Sequence, residues 1–153
     1  SILKSQKAYT LQLLNQMPAE KFDYRPTAEV RSYSELYKHI SVSVRLCLRI
    51  VKGEFTTPQE EFPKLAQFEK KELSKKEIID DFTSSIDNAI ATLEKMDDAD
   101  LEKTVVLSFF QGAPTKSYLE VYTWLRDHIT HHRAQSTIYL RMNGITPAPY
   151  RPW

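Results

Sequence analysis

Three histidines carry the chemistry that this sequence most clearly encodes. His128 and His132 are four residues apart, a spacing that stacks two imidazoles on one face of a helix and suits two ligands of a single metal ion. Such a pair needs a third ligand, and His39 is the only histidine outside the segment 128–132. We therefore expect one divalent metal ion bound by His39, His128 and His132.

The chemistry of such a site follows from its charge and its ligand count. Three neutral imidazoles leave a divalent cation uncompensated and its coordination shell incomplete. At the open position, the pKa of a bound water would fall toward about 7, or a substrate thiolate or carbonyl would bind. The alternative is a non-catalytic bundle in which a structural metal or a satisfied histidine cluster fixes the core and the surface binds another protein.

Glu35 and Gln135 each have two interpretations, one as part of the metal site and one as a structural residue. Glu35 lies one turn before His39, so it could accept a proton or orient a ligand, but its place in a capping motif favours the structural role. Gln135 shares the face of His128 and His132, where it could hold a metal-bound water or be satisfied by the backbone. Neither residue is assigned as catalytic.

His131 and Cys47 are expected to lie outside the ligand set. His131 is roughly 60° from His128 around the helix, and Cys47 is about 80° from His39. The apolar neighbours of Cys47 predict a buried thiol. As the single cysteine it forms no internal disulfide, which favours a reducing, cytoplasmic setting.

Three capping motifs mark the helices that must position these residues. In the pattern S-x-x-E, a serine and a glutamate side chain satisfy free amide groups at a helix start. It occurs three times and predicts helices over about 32–50, 74–95 and 117–142, with Gly53 and Asn143-Gly144 as stops after the first and the last. Leucines before Pro18 indicate a fourth helix at the N-terminus.

The helical period places the histidines on inward faces. In the last helix one stripe contains nine residues: Val121, Trp124, Leu125, His128, His132, Gln135, Ile138, Tyr139 and Met142. In the helix that begins near Ser32, a second stripe contains Leu36, His39, Val42, Leu46 and Ile50. Because both stripes face the core, the three histidines are expected to point toward one another.

The segments between the helices complete the predicted fold. Residues 54–73 contain Pro58 and Pro63 and are predicted to form a long surface loop, with room for a short turn of helix. Residues 104–109 are β-branched and apolar, which favours an extended segment or a small hairpin. The prediction is an all-α fold, a four-helix bundle in a single domain over 1–153.

Composition excludes several classes of function. With 21 Lys and Arg against 20 Asp and Glu, the net charge of +1 provides no field that would attract nucleic acid or an anionic membrane. The mixed run 69–77 is interpreted as a solvated surface. No stretch approaches the ~18 apolar residues of a membrane span, and neither GxGxxG nor GxxxxGK[ST] occurs.

Two stretches resemble the DinB family, which is distinct from the DNA polymerase of the same name. At the front these are Phe22-Asp23-Tyr24-Arg25-Pro26 and Val30-Arg31-Ser32-Tyr33-Ser34-Glu35-Leu36, followed by His39. At the end they are Asp127-His128-Ile129-Thr130-His131-His132-Arg133-Ala134-Gln135, Tyr139-Leu140-Arg141 and Gly144-Ile145-Thr146-Pro147. The combination of an isolated histidine with H-x-x-H-H-R-x-Q is the specific part.

The resemblance implies a metal-binding four-helix bundle whose ligands correspond to His39, His128 and His132. It also implies nickel or zinc, frequent homodimers, and a small-molecule substrate such as a low-molecular-weight thiol, so that a thiol transferase or a hydrolase is expected. Two positions depart from the family pattern: Ala134 stands where glycine is usual, and Ile129 where an acidic residue is often found. The second departure argues against a mechanism assisted by that carboxylate.

Overall fold

Four long helices form a bundle, and shorter elements connect them. The computed structural model describes residues 2–150. In chain order the elements are α1 (Ile2–Gln16), a 3₁₀ turn (Ala19–Lys21), α2 (Tyr33–Val51), α3 (Pro58–Glu69), α4 (Lys75–Leu93), α5 (Asp98–Glu102), β1 (Thr104–Val106), β2 (Thr115–Ser117) and α6 (Tyr118–Met142). The predicted domain 1–153 also includes residues 1 and 151–153, which lie outside the described residues.

Helix α2 is the centre of the packing. It contacts α4 and α6, and α1 closes the bundle by contacting the same two helices. Fifteen of the 19 residues of α2 are buried, so this helix has no fully solvated face. The predicted four-helix bundle is confirmed, and none of the helices in the described part of the chain is long and apolar enough to cross a bilayer.

The three predicted capping boxes are all present. In the first, the Ser32 side chain accepts a hydrogen bond from the Glu35 amide, and the Glu35 carboxylate accepts one from the Ser32 amide at 2.8 Å. The same pair of bonds opens α4 and α6. Gly53, with a φ of +69°, follows α2 in the left-handed conformation that ends many helices. Local sequence therefore determines where the two histidine-bearing helices begin.

Buried tyrosines fix α2 against its neighbours. The hydroxyl of Tyr33 donates to the carbonyl of Leu13 in α1 at 2.7 Å, and that of Tyr37 donates to Ser136 Oγ in α6 at 3.0 Å. Both tyrosines are fully buried, and burial raises the pKa of Tyr37 to about 12. Since a buried hydroxyl without a partner is costly, these bonds favour one register of α2 relative to α1 and α6.

Residues 58–69 form a 12-residue helix, so the predicted loop over 54–73 is wrong in this part. Thr57 caps the helix by accepting from the Glu60 amide, and Pro58 occupies its first turn, where proline needs no amide donor. Of the residues in α3 only Glu61 is buried. The helix was missed because Pro58 and Pro63 were interpreted as signs of a loop, although a proline in the first turn is compatible with a helix.

A short hairpin precedes the last helix, as the β-branched segment predicts. Strands β1 and β2 pair antiparallel, with Thr104 opposite Ser117 and Val106 opposite Thr115. Ser117 ends β2 and also caps α6, and the Tyr118 amide donates to the Lys103 carbonyl at 2.9 Å. The hairpin therefore anchors the start of the helix that carries two of the histidines.

The predicted inward stripe of α6 is wrong at its C-terminal end. Ile138 and Met142 are 56% and 55% exposed, whereas Arg133 and Ser136 are buried. Relative to the predicted stripe, the buried face of α6 is therefore turned so that it includes polar residues, and the partners of these residues lie on other helices. His132 is buried and His128 lies at the margin of the core.

Candidate metal centre

The bundle brings the three predicted histidines together. His128 and His132 project from successive turns of α6, and His39 faces them from α2. Their candidate ligand atoms all lie within 4.8 Å of one another, and Nε2 of His39 is 3.2 Å from Nε2 of His128. Imidazole nitrogens that each lie about 2.0–2.1 Å from one tetrahedral ion are roughly 3.3 Å apart. The cluster can therefore hold a metal ion.

His39 is held by a carboxylate from α3. Its Nδ1 is 2.6 Å from Oε1 of Glu69, which is the acceptor if the ring nitrogen donates. Arg31 contacts the other oxygen of Glu69, with Nη2 at 3.3 Å from Oε2. With Nδ1 engaged in this way, the lone pair of His39 Nε2 is directed toward His128. This is the tautomer that a metal ligand requires.

His132 is oriented by Gln135, one turn further along α6. Nδ1 of His132 lies 3.0 Å from Oε1 of Gln135, an oxygen that can only accept, so the imidazole donates. The amide nitrogen of Gln135 is 3.2 Å from Nε2 of His131, which is itself exposed. Gln135 thus fixes the His132 tautomer and leaves Nε2 available, while His131 stays outside the cluster as predicted.

His128 has partners on both sides of its ring. Nε2 of His128 is 2.9 Å from Oγ of Ser43, and the Ser43 hydroxyl donates to the carbonyl of His39 at 2.9 Å. The Trp124 ring lies beside His128 at 5.2 Å between centroids with 39° between the planes. Trp124 therefore packs against the core and beside the His128 ring, as predicted.

Burial keeps His128 and His132 neutral. Desolvation first, and the neighbouring histidines second, lower the pKa of His128 to about 4. Desolvation likewise lowers the pKa of His132 to about 4, against the hydrogen bond to Gln135 that raises it. Burial alone would raise the pKa of Glu69, but the hydrogen bond from His39 and the charge of Arg31 lower it below its usual value. At neutral pH His128 and His132 are therefore uncharged, and uncharged imidazoles are what a divalent ion needs as ligands.

A cleft of about 780 Å³ opens onto this cluster. It lies between the loop 25–31, the end of α3 and the second half of α6, and His132 and Gln135 form part of its wall. Its apolar lining consists of Val30, Leu36, Ala66, Ile138, Tyr139 and Met142. This volume lies within the range of about 300–1,000 Å³ typical of small-molecule sites. The exposed Ile138 and Met142 therefore line a concave surface rather than the core.

Two other candidates from the sequence have structural roles. Glu35 accepts from the Ser32 amide and binds Arg25 through both oxygens, at 2.8 and 2.7 Å, so the capping reading is confirmed. Cys47 is buried within the core cluster, as predicted, and burial raises the pKa of its thiol. Neither side chain contributes to the histidine cluster.

Sequence analysis missed Glu69 and Ser43. Glu69 is separated from His39 by 30 positions, within the run that was interpreted as a solvated surface, and that interpretation is wrong for this residue. Ser43 lies one turn after His39 on α2, so its proximity to the site could have been inferred from the helical period. Nothing in the local pattern around Glu69 indicates its contact with a histidine.

Comparison with known proteins gives a consistent family and fold. A sequence profile described as DinB superfamily matches residues 2–136. A DinB-like protein from Bacillus subtilis is 20% identical with a TM-score of 0.74, and the match covers 97% of this chain and 96% of that chain. A DinB-like protein from Bacillus cereus ATCC 10987 is 18% identical with a TM-score of 0.75, covering 98% and 95%. No protein with a curated function matches significantly.

A more distant similarity involves an enzyme. A mycothiol-dependent maleylpyruvate isomerase is 12% identical with a TM-score of 0.68, and the match covers 87% of this chain but 57% of that chain. At this identity the comparison establishes a shared fold. The DinB-like fold assignment is therefore supported by the sequence profile and by several solved structures.

Proposed function

This chain belongs to the DinB superfamily, and on that premise we propose that it is a divalent-metal-dependent enzyme of the small-thiol transferase or hydrolase type. In this proposal His39, His128 and His132 are the metal ligands and the ion is nickel or zinc. The observation that carries the proposal is a cluster of three imidazoles whose candidate ligand atoms lie within 4.8 Å of one another beside a cleft.

The donor set supports a catalytic rather than a purely structural site. Structural zinc sites usually have four protein ligands, whereas catalytic sites use three and leave one position open. Among the residues that the structure describes, the cluster of potential ligands comprises the three histidines alone. Glu69 is engaged with His39 and Arg31, so it serves the cluster from outside.

The chemistry would be that of a Lewis acid. When bound, a divalent ion would activate a small thiol, a carbonyl or a water molecule at neutral pH. The residues of the chain would hold this centre in place: Glu69 and Gln135 fix the tautomers of His39 and His132, and Trp124 packs beside the His128 ring. The cleft would admit a substrate from the side of His132.

The preference for thiol chemistry has a separate basis. The mycothiol-dependent isomerase shares the fold of this chain, and soft thiolates bind well to zinc and nickel. The cleft has an apolar lining together with basic side chains (Arg25, Arg31, Lys70) and acidic ones (Glu29, Glu35, Glu69), which suits a small molecule with an apolar part and a polar group. The shared fold with the isomerase favours a thiol transferase over a hydrolase.

Metal analysis of three proteins tests the proposal. Purified wild-type protein should bind about one equivalent of zinc or nickel, and His128→Ala should lose it. His131→Ala is the matched control, because His131 is on the same helix but exposed and outside the cluster. A wild-type protein that binds no divalent ion, or a His128→Ala variant that binds as well as His131→Ala, would refute it.

A second measurement separates catalysis from structural binding. Cobalt-substituted protein should change its visible spectrum when a small thiol such as β-mercaptoethanol is added, because the thiolate would enter the open position. An unchanged spectrum, together with a large loss of thermal stability on chelation, would instead support the non-catalytic bundle with a structural metal.

A further inference from the structure

Helix α3 packs against α2 through charged side chains and through a few partly buried apolar ones, such as Leu65. At its start Glu61 binds Arg49 at 2.8 Å, and near its end the guanidinium of Arg45 lies 4.2 Å from the centre of the Phe68 ring. Two buried nitrogens of these arginines, Nε of Arg49 and Nη2 of Arg45, have no hydrogen-bond partner among the described residues. Such groups weaken an interface, so α3 is a weakly docked element.

The last attachment of α3 is the one that reaches the histidine cluster. Glu69 is the final residue of the helix, and a carboxylate there faces the negative end of the helix dipole. Its position is therefore unfavourable for the helix itself. The side chain is 21% exposed, with one oxygen on His39 Nδ1 at 2.6 Å and the other near Arg31. Glu69 thus joins α3 to His39.

We propose that Glu69 is a positioning residue that couples the docking of α3 to metal binding at His39, an inference that rests on the proposed function. By accepting the Nδ1 proton, Glu69 fixes the tautomer in which Nε2 of His39 faces His128. Without Glu69 the ring is free to turn or to place its proton on Nε2. Both changes remove a nitrogen lone pair from the cluster.

The coupling acts in both directions. A cation on Nε2 withdraws electron density from the ring, which strengthens the bond from Nδ1–H to Glu69 and so holds the end of α3 against α2. Thermodynamic linkage makes the two effects equal. The factor by which docking of α3 raises the metal affinity is the factor by which bound metal shifts α3 toward its docked position. Because Ala66, Glu69 and Lys70 also line the cleft, metal binding also holds one wall of the cleft in place.

The test uses Glu69→Ala, Glu69→Gln and the control Glu72→Ala. Glu72 is exposed, carries the same charge and lies three residues further along the chain, and among the described residues it has no ion pair. Zinc affinity is measured by competition with a chromophoric chelator. Hydrogen–deuterium exchange of the backbone amides of α3 is measured with and without zinc. The Nδ1–H signal of His39 is observed by ¹⁵N NMR of the metal-free protein.

Glu69→Ala should weaken zinc binding by about 10- to 100-fold, the usual effect of losing such a partner, and its α3 amides should exchange equally fast with and without zinc. Glu69→Gln, whose amide oxygen can still accept, should keep the Nδ1–H signal and much of the affinity. Glu72→Ala should resemble wild type, in which zinc slows α3 exchange.

Two results overturn the coupling while the proposed function stands: wild type binds zinc but Glu69→Ala binds equally well, or zinc leaves the exchange of α3 unchanged in wild type. A wild-type protein that binds no zinc or nickel overturns the proposed function itself and the coupling with it. Loss of the Nδ1–H signal in Glu69→Ala but not in Glu72→Ala supports the positioning role directly.

Discussion

Acidification should destabilise the metal-free protein through two histidines. The pKa of both His128 and His132 is lowered in the folded protein from an ordinary 6.5 to about 4. Between these pH values the unfolded chain binds more protons than the folded one, so the free energy of unfolding falls as the pH falls. This contribution to stability is complete above about pH 6.5 and is lost as the pH drops toward 4.

The magnitude follows from the width of that window. One pKa unit corresponds to about 1.4 kcal/mol, so a full shift would cost about 2 kcal/mol per histidine between pH 7 and pH 5. Because His128 is only half-buried and its shift is partly caused by His132, screening and coupling reduce the cost for the pair to about 2–3 kcal/mol. Urea unfolding of metal-free protein at pH 7, 6 and 5 measures the loss. A variant carrying His128→Gln and His132→Gln should lose about 2–3 kcal/mol less than wild type over this range.

The control for this experiment is His131→Gln, since His131 is exposed on the same helix. It should stay close to the wild-type dependence on pH, because His131 is only a minor cause of the lowered pKa of His128 and His132. Carboxylates whose pKa is lowered, such as Glu69, also lose stability on acidification, but they remain in all three proteins and cancel in the comparison. Parallel curves for wild type and the double variant would refute the reasoning.

Three further predictions concern binding, packing and reactivity. Zinc at 100 times its dissociation constant should stabilise wild type by about 2.7 kcal/mol in thermal melts, and no such shift should occur for His132→Ala. Phe82→Ala, at a fully buried position, should lower the free energy of unfolding by about 3–5 kcal/mol in urea; a loss below about 1 kcal/mol would contradict the packing. The thiol of Cys47, whose pKa burial raises, should react with iodoacetamide only in denaturant, and rapid labelling of native protein would argue against its burial.

The long helices and their starts were predictable because the signals are local. A capping box such as Ser32 with Glu35 is complete within four residues, so neither residue depends on distant contacts for its role. The pairing of His128 with His132 is equally local, because four residues make about one helical turn. Helix α3 was not predicted because its two prolines, Pro58 and Pro63, are also typical of loops.

The orientation of α6 needed the tertiary structure. Arg133 and Ser136 are polar, yet both are buried because Nη1 of Arg133 reaches Gln6 at 2.5 Å and Ser136 accepts from Tyr37 at 3.0 Å. A prediction from hydrophobic periodicity places polar residues such as these on the exposed face of a helix. The predicted stripe was therefore displaced toward Ile138, which instead lines the cleft.

The sequence by itself determined the four long helices, the capped starts of three of them and the three histidine positions, since each rests on residue type and helical period. The family resemblance added the expectation that these three act together. Only the tertiary structure decided how the cluster is supported: Glu69 reaches His39 from 30 positions away in the chain, and Ser43 in α2 contacts His128 in α6. Contacts between distant segments depend on how helices pack, and no local spacing encodes that packing.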